Sequence, residues 1–586
     1  MAASGLERLV ELNDVRTIGP ASTPLRRLRS EGVRSWLRDP PILCLAAAVV
    51  CSGAVLIALA GDVIFLRDEW AVVLYRRGFG ASVFLDPHAG HLAAAVIAFY
   101  KLGLATFGMT SPLPFHIGST LIYLLAAVLL FVYTRRRVGG WLALLATLLI
   151  LFLGASYVDL LSPFQIVFSG AIAAGLGALL ALDREDRGGD IAACVLLVGS
   201  MAFSELGIAF TVGALVRITQ SEQPLRGRLF VALVPLSLYA LWWLGWGHTA
   251  HSYVSFRNAA LTPLYVVNAG SAAIASLLGL ASASDALPGP VGQQWGPPLL
   301  IVALVLAAWR IRYLRRVPSG VWAVLAIGLT FWVLAGLDYV PNFREPGNGR
   351  YLYPSAVFVL LIAVELLRGV RPSTRVSVIA IAVTAIAIGG NLAFLKDGYD
   401  FNFKPSNEQE RGAVSALGID GPMNQSFVLN ASVSPVTFYD IGTHSYLSAV
   451  DSWGSPGYSE PKLAAAPDAS RSEADKVFAA ILGIRLGPPG RAARPCRTVH
   501  TAPDGWSEIQ VGPGTVTLAA SGRMRTKVAL GRFSDELPVD LGTLNPGSRV
   551  SLEIPADRSA RPWRLGLQGA GSATVCGERS SGTGAG

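Results

Sequence analysis

Long apolar runs fill residues 42–395, and they decide what this chain can fold into. Inside a bilayer a backbone N–H or C=O has no water to bond, so a segment lodged there satisfies itself as a helix or joins a closed barrel. Roughly 20 apolar residues wound as a helix cross the hydrocarbon core. The runs read as eleven crossings, at 42–60, 113–134, 141–155, 165–182, 190–204, 206–219, 229–246, 297–312, 320–337, 351–367 and 376–395. Two further segments, 92–108 and 258–282, are apolar enough to touch a membrane.

The arginines set the direction of these crossings. Arg26, Arg27, Arg29, Arg34 and Arg38 precede the first run. Arg135, Arg136 and Arg137 follow the second, and Arg226 and Arg228 precede the seventh. Arg310, Arg312, Arg315 and Arg316 link the eighth to the ninth; Arg368, Arg371 and Arg375 link the tenth to the eleventh. With eleven crossings every cluster falls on one side, which basic residues mark as cytoplasmic. Counting 92–108 or 258–282 alone as a crossing breaks that pattern, so both are expected to be interfacial or re-entrant. Residues 1–41 are read as a cytoplasmic tail, too long and polar for the start of a cleavable signal. Residues 396–586 then lie outside, and the protein is expected in the cell membrane. The net charge of +9 points to no nucleic-acid partner, because no basic stripe is interleaved with stacking aromatics.

The outer loops carry the polar chemistry. Asp68, Glu69, Arg76, Arg77, Asp86, His88 and His91 lie between the first two crossings. Asp338, Asn342, Arg344, Glu345, Asn348 and Arg350 lie between the ninth and tenth, and Glu205 sits in the short link between the fifth and sixth. Ionisable groups near bilayer depth are costly unless they face a cavity or one another. Acids in one loop and arginines in another suggest a shared polar site on the outer face.

The stretch Phe65-Leu66-Arg67-Asp68-Glu69-Trp70 and the later Phe84-Leu85-Asp86-Pro87-His88-Ala89-Gly90-His91-Leu92 resemble the first outer loop of GT-C glycosyltransferases. The likeness is to the protein O-mannosyltransferase and aminoarabinose transferase group, which has an Asp-Glu pair just after the first helix. Phe203-Ser204-Glu205-Leu206-Gly207 is similar to a Lys-Glu-x-Gly element of such enzymes, with Ser204 where they have lysine. Gly349-Arg350-Tyr351-Leu352-Tyr353-Pro354 is similar to the Arg-Tyr start of a late helix. The resemblance implies a GT-C-like polytopic α-helical fold and transfer, with inversion, of a sugar from a polyprenyl-phosphate donor. The acceptor would be a hydroxyl of a glycan, lipid or protein. It makes Asp68 the general base, and gives substrate-binding roles to Glu69, Asp86, His88, His91, Glu205, Arg344, Arg350 and Tyr351.

Elementary chemistry asks for the same parts. An acceptor hydroxyl must lose a proton as the new bond forms, which a carboxylate within hydrogen-bond reach accepts. A departing lipid phosphate needs fixed positive donors, and arginine offers a planar fork; Arg344 and Arg350 are the candidates, with Lys101 third. No cofactor is called for, and no residue spacing indicates a divalent cation or structural zinc. Plainer readings stand beside these. The Asp-Glu pair could be a solvated loop, His88 and His91 a polar turn, and Arg350 an interface anchor beside Tyr351 and Tyr353. Trp242, Trp243 and Trp246 read as an aromatic belt. A transporter or flippase of a lipid-linked glycan, or a non-catalytic assembly protein of the cell envelope, are the alternatives in function.

Beyond the last run the sequence reads as soluble. A mixed α/β region is expected over 396–495, with strands at 427–430, 436–439 and 446–450 and a helix near 472–482. Residues 496–577 alternate strand-length runs, such as 508–511, 515–520, 526–530 and 549–554, with Gly and Pro turns, as a β-sandwich does. Residues 578–586 form a Ser/Gly-rich tail. Cys44, Cys51 and Cys194 lie in apolar runs and read as small packing residues. Cys496 and Cys576 open and close the sandwich and are expected to form a structural disulfide.

Overall fold

A computed structural model describes residues 39–280, 295–315, 317–341, 343–490, 494–521 and 524–577. The tail at 1–38, with the arginines from Arg26 to Arg38 named above, Arg316, Asn342 and residues 578–586 lie outside these. The chain divides into two compact units. The first contains residues up to Gly61, Gly78–Phe99 and Phe115–Phe401; the second contains Asp62–Arg77, Tyr100–Pro114 and everything from Asn402.

The first unit is a bundle of helices. In chain order the described ones are α1 (Pro40–Ala60), a five-residue turn at Ala81–Leu85, α2 (Leu113–Val138), α3 (Gly140–Leu151), a broken stretch through Tyr157–Leu161, α4 (Ile166–Leu182), α5 (Arg187–Phe203), α6 (Leu206–Thr219), α7 (Phe230–Gly245), α8 (Phe256–Leu277), α9 (Gly296–Leu314), α10 (Ser319–Leu337), α11 (Gly349–Leu366) and α12 (Thr374–Gly398). The helix Ala94–Phe107 contributes its first turns to this unit, where Phe99 packs edge-on against Phe115. Among the described residues nine helices are long and apolar enough to cross a membrane, so this is an integral membrane protein.

That set of nine differs from the eleven read in the sequence. Three expected crossings, α5, α6 and α7, are helices of 17, 14 and 16 residues. One segment expected not to cross, α8, is a 22-residue apolar helix. Contacts at the helix ends explain both. One end of the bundle gathers the arginines. Arg135 pairs with Asp39 at the start of α1 (2.5 Å), Arg217 at the end of α6 pairs with Asp183 at the end of α4 (2.6 Å), and Arg228 pairs with Asp190 at the start of α5 (2.6 Å). Arg137 reaches Glu365 near the end of α11, and Arg310 donates to Leu366 O (3.0 Å). The opposite end holds the link at Glu205, the turn around His91, and Asp338 with Arg344. The three short helices therefore run from end to end; fourteen residues of α6 rise about 21 Å.

Helix α8 differs in its contacts. Asn258 in its first turn donates to Leu337 O and Tyr339 O at the end of α10 (3.1 and 2.9 Å). In its last turn Ser276 O accepts from Asn391 of α12, whose side chain also holds Ala155 N (2.9 and 3.0 Å). Ala272 clusters with Ala155 and Leu352. Both ends of α8 thus pack on elements at the end away from the arginines. By length and composition it is one of the nine helices able to cross, unlike the interfacial or re-entrant segment expected there.

The second unit joins two outer-loop pieces to the C-terminal residues. Helix α13 (Lys404–Asp420) packs on α14 (Asp468–Ile481). Below them two antiparallel sheets stack, one of four strands and one of five. All four strands read in the sequence are present, as Ser507–Val511, Gly514–Ala520, Thr526–Gly531 and Arg549–Ile554. Buried Asp475 of α14 accepts from the backbone N–H groups of Arg532, Phe533 and Ser534 (2.8, 3.0 and 3.1 Å), which fixes the helix to the sandwich. Cys496 and Cys576 are facing partners on adjacent antiparallel strands and are disulfide-bonded, with α-carbons 4.0 Å apart. Two expectations in 396–495 fail. Residues 436–439 form no strand, and 446–450 lie within the helix Thr443–Trp453, because Thr443, Tyr446 and Ala449 are buried at three-residue spacing, one helix face.

Candidate functional site

Most of the anticipated site residues of the first unit converge at the end of the bundle away from the arginine clusters. The turn that carries the two histidines is set by backbone geometry. His88 and His91 exchange both backbone hydrogen bonds (2.9 Å each), and the residues between them, Ala89 and Gly90, both have positive φ, 49° and 95°. That is the two-residue turn whose twist suits a tight hairpin, and glycine is its natural second residue. His88 turns inward, is buried, and lies against Phe164 (5.0 Å between rings). His91 pairs with Glu205.

Glu205 is positioned by the break between α5 and α6. Ser204 Oγ accepts from Leu206 N (3.2 Å), and a side chain at Gly207 would collide with the Met201 backbone, so only glycine lets the two helices turn this closely. Burial pushes the Glu205 carboxyl up, but His91 and then Arg344 outweigh it and hold it below the ordinary range. Arg344 is buried, paired with Asp338, stacked over Tyr253 (5.2 Å) and within 3.4 Å of Ala89 O. A narrow cleft of about 20 Å³ opens among His91, Glu205, Asp338, Arg344 and Tyr351, room for a water-sized group. Tyr351 closes one wall against Phe331 and Phe168.

Arg350 differs from Arg344. Its guanidinium sits over the rings of Phe343 (4.5 Å) and Tyr351 (5.2 Å) and donates to Phe343 O (3.0 Å). Among the described residues no carboxylate forms an ion pair with it, and its buried Nε has no partner. It is the cation here with donor capacity to spare. Beneath it lies a residue that reading the sequence overlooks. Asp159 is buried, 2.6 Å from Ser156 Oγ, which in turn lies 2.7 Å from Gly349 O. Arg350 is among the charges acting on it. A signal exists in the sequence, since Asp159 is the only acidic or basic residue between Arg137 and Asp183. Trp242 is a further correction: rather than lying in an aromatic belt it is buried, and its Nε1 donates to Leu85 O (2.7 Å), anchoring the loop before Asp86. Trp243 is exposed, as a belt residue would be. Asp86 follows the Ala81–Leu85 turn, half-buried, outside the lining of this cleft.

Asp68 and Glu69 belong to the second unit. They open the eight-residue helix Asp68–Tyr75, straight after Arg67, whose φ of 53° and ψ of −118° are unusual for a residue with a side chain. Arg67 donates to Asn402 (3.0 Å), which helps hold that turn. The two acids meet different surroundings. Glu69 is buried and accepts from Leu66 N (2.8 Å) and the Tyr100 hydroxyl (2.5 Å). Burial, opposed by these two hydrogen bonds, pushes its carboxyl up to about 7. Asp68, its neighbour, is half-buried. Lys101 follows Tyr100 in the same unit, and burial together with Arg77 holds its amine below the ordinary range. Among the described residues no group of three or more His, Cys, Asp or Glu side chains is placed to hold a metal ion.

No family model and no curated protein matches the sequence. Among solved structures the chain is similar to the arabinosyltransferase EmbB from Mycobacterium smegmatis, determined by single-particle cryo-EM, at 11% sequence identity and a TM-score of 0.32. The match covers 98% of this chain and 66% of that one, so the chain spans slightly under two thirds of the length of that structure.

Proposed function

We propose that the protein is a membrane glycosyltransferase of the GT-C kind, moving a sugar from a polyprenyl-phosphate donor to an extracytoplasmic hydroxyl with inversion. The observation that carries this reading is the acid pair at the head of Asp68–Tyr75, split into a buried member and a half-exposed one by the turn at Arg67. Such a split gives one carboxylate for chemistry and one for support. Asp68 takes the proton from the acceptor hydroxyl as its oxygen attacks the anomeric carbon, and the bond to the lipid phosphate breaks on the opposite face. Glu69, tied to Leu66 N and Tyr100, keeps the turn in place. The charge that grows on the departing phosphate calls for a cation not already neutralised, which among the outer arginines favours Arg350 over Arg344. His91 and Glu205 act as polar lining for the donor.

The deciding experiment is Asp68→Asn assayed with a polyprenyl-phosphate sugar in membranes. Removal of a general base is expected to lower transfer at least about a hundredfold with insertion unchanged. Transfer near the wild-type rate would remove Asp68 from the chemistry. Transport of the lipid-linked glycan without any transfer would replace the enzyme by a flippase.

A further inference from the structure

The arginine-rich end of the bundle has its own cleft, of about 260 Å³, lined by none of the site residues described above. Arg217, Arg228 and Arg368 line it together with Glu185, Ser319 and Gly320. We propose that this cleft binds the phosphodiester of an anionic membrane lipid. Charge is the first reason. Asp183 is shared by three guanidiniums, Arg217 at 2.6 Å, Arg137 at 3.3 Å and Arg136 at 3.5 Å. Glu365 is shared by Arg137 and, at 4.0 Å, by Arg368. Four arginines thus face two buried or half-buried carboxylates. Glu185 on the rim reduces the excess to one positive charge, the charge a single phosphodiester balances. Arg228 is already matched by Asp190 and helps shape the wall, with a further bond to Ser221 (2.9 Å).

The wall supplies donors as well as charge. Ser319 and Gly320 are the first two residues of α10, a 19-residue helix whose N-cap, Pro318, offers no side-chain hydrogen bond to the first turn. Both residues line the cleft, and the positive end of a helix suits phosphate oxygens. Gly320 is required for this surface, since a side chain at that position would collide with the Glu365 carboxylate. Arg368 is more than half exposed and is free to swing onto a ligand. The cleft sits where the crossing helices end, the level at which lipid phosphates concentrate.

Native mass spectrometry of the full chain, in detergent with equal phosphatidylglycerol and phosphatidylcholine, tests this. The wild-type protein is expected to retain phosphatidylglycerol several-fold over phosphatidylcholine. Arg217→Gln combined with Arg368→Gln should lower that retention about fivefold or more. Arg368→Gln alone, at an exposed side chain that folding does not require, should lower it in part. Arg187→Gln, exposed at the same end and outside the cleft, should leave it unchanged. Equal retention of the two lipids, or equal retention by wild type and the double variant, would overturn the proposal. Loss of bound phosphatidylglycerol on adding millimolar inorganic phosphate would overturn the lipid as the source and assign the site to a soluble anion.

Discussion

The two acidic centres of this protein are built on opposite principles. In the first unit Glu205 meets the His91 imidazole and Asp338 meets the Arg344 guanidinium, so each acid has a side-chain partner that holds it in place. In the second unit Glu69 meets a hydroxyl and a backbone N–H and, among the described residues, no cation, and burial drives its carboxyl towards the neutral form. Paired charges make a rigid wall around a narrow cleft. A buried acid close to neutrality makes a site responsive to protons.

The largest way to test that contrast is Arg344→Ala. It strips the partner from Asp338 in a mostly buried pair, and the expected loss of stability is about 3–5 kcal/mol, read as a lowered unfolding midpoint. A variant as stable as wild type would mean that the pair is not the wall it looks like. Next comes Glu69→Gln. A carboxyl raised in the folded state binds its proton more tightly there than when unfolded. Its contribution is therefore full below about pH 4.5 and is lost as pH rises through about 7. Each tenfold gain in proton affinity is worth about 1.4 kcal/mol, so wild type should lose up to about 3 kcal/mol across that window. The glutamine variant should lack that component. Asp475, which burial pushes up to about 6, adds a slope of the same sign in both proteins. Parallel profiles for the two would place Glu69 among ordinary carboxylates. The smallest effect is Arg350→Ala, expected to raise the KM for the lipid-phosphate donor about tenfold, the equivalent of about 1.4 kcal/mol, with stability near wild type. A changed unfolding midpoint with unchanged KM would make Arg350 a structural residue like Arg344.

The bundle is legible in the sequence because its two signals are independent. Apolar runs mark the helices and arginine clusters mark their ends, and described members of the clusters, Arg135, Arg137, Arg228 and Arg310, make their contacts at one end of the bundle. The sandwich strands are legible from alternation between Gly and Pro turns. Less is legible where a side chain's surroundings decide its role. Arg344 and Arg350 look equivalent in one loop, and only the fold gives the first a carboxylate and the second two aromatic rings. Asp159 is hidden by the apolar sequence around it. Thr443–Trp453 resembles a strand in sequence because its buried positions, at three-residue spacing, span too few turns to reveal a period.

Helix α8 bears on how the chain is made. A machinery that judges each emerging segment by its hydrophobicity meets 22 residues that qualify for passage, while both of their ends pack on elements at the end away from the arginines. Arg257 and Asn258 at the start and Pro263 one turn on weaken the segment's case for insertion. The arginines at 310, 312 and 315 then pin the far end of α9. Were the helices after α8 laid down upside down, Glu205 and Arg344 would be parted by the thickness of the membrane. Correct biogenesis therefore depends on the segment after α8 more than on α8 itself, and neutralising those three arginines should yield misoriented chains rather than merely unstable ones.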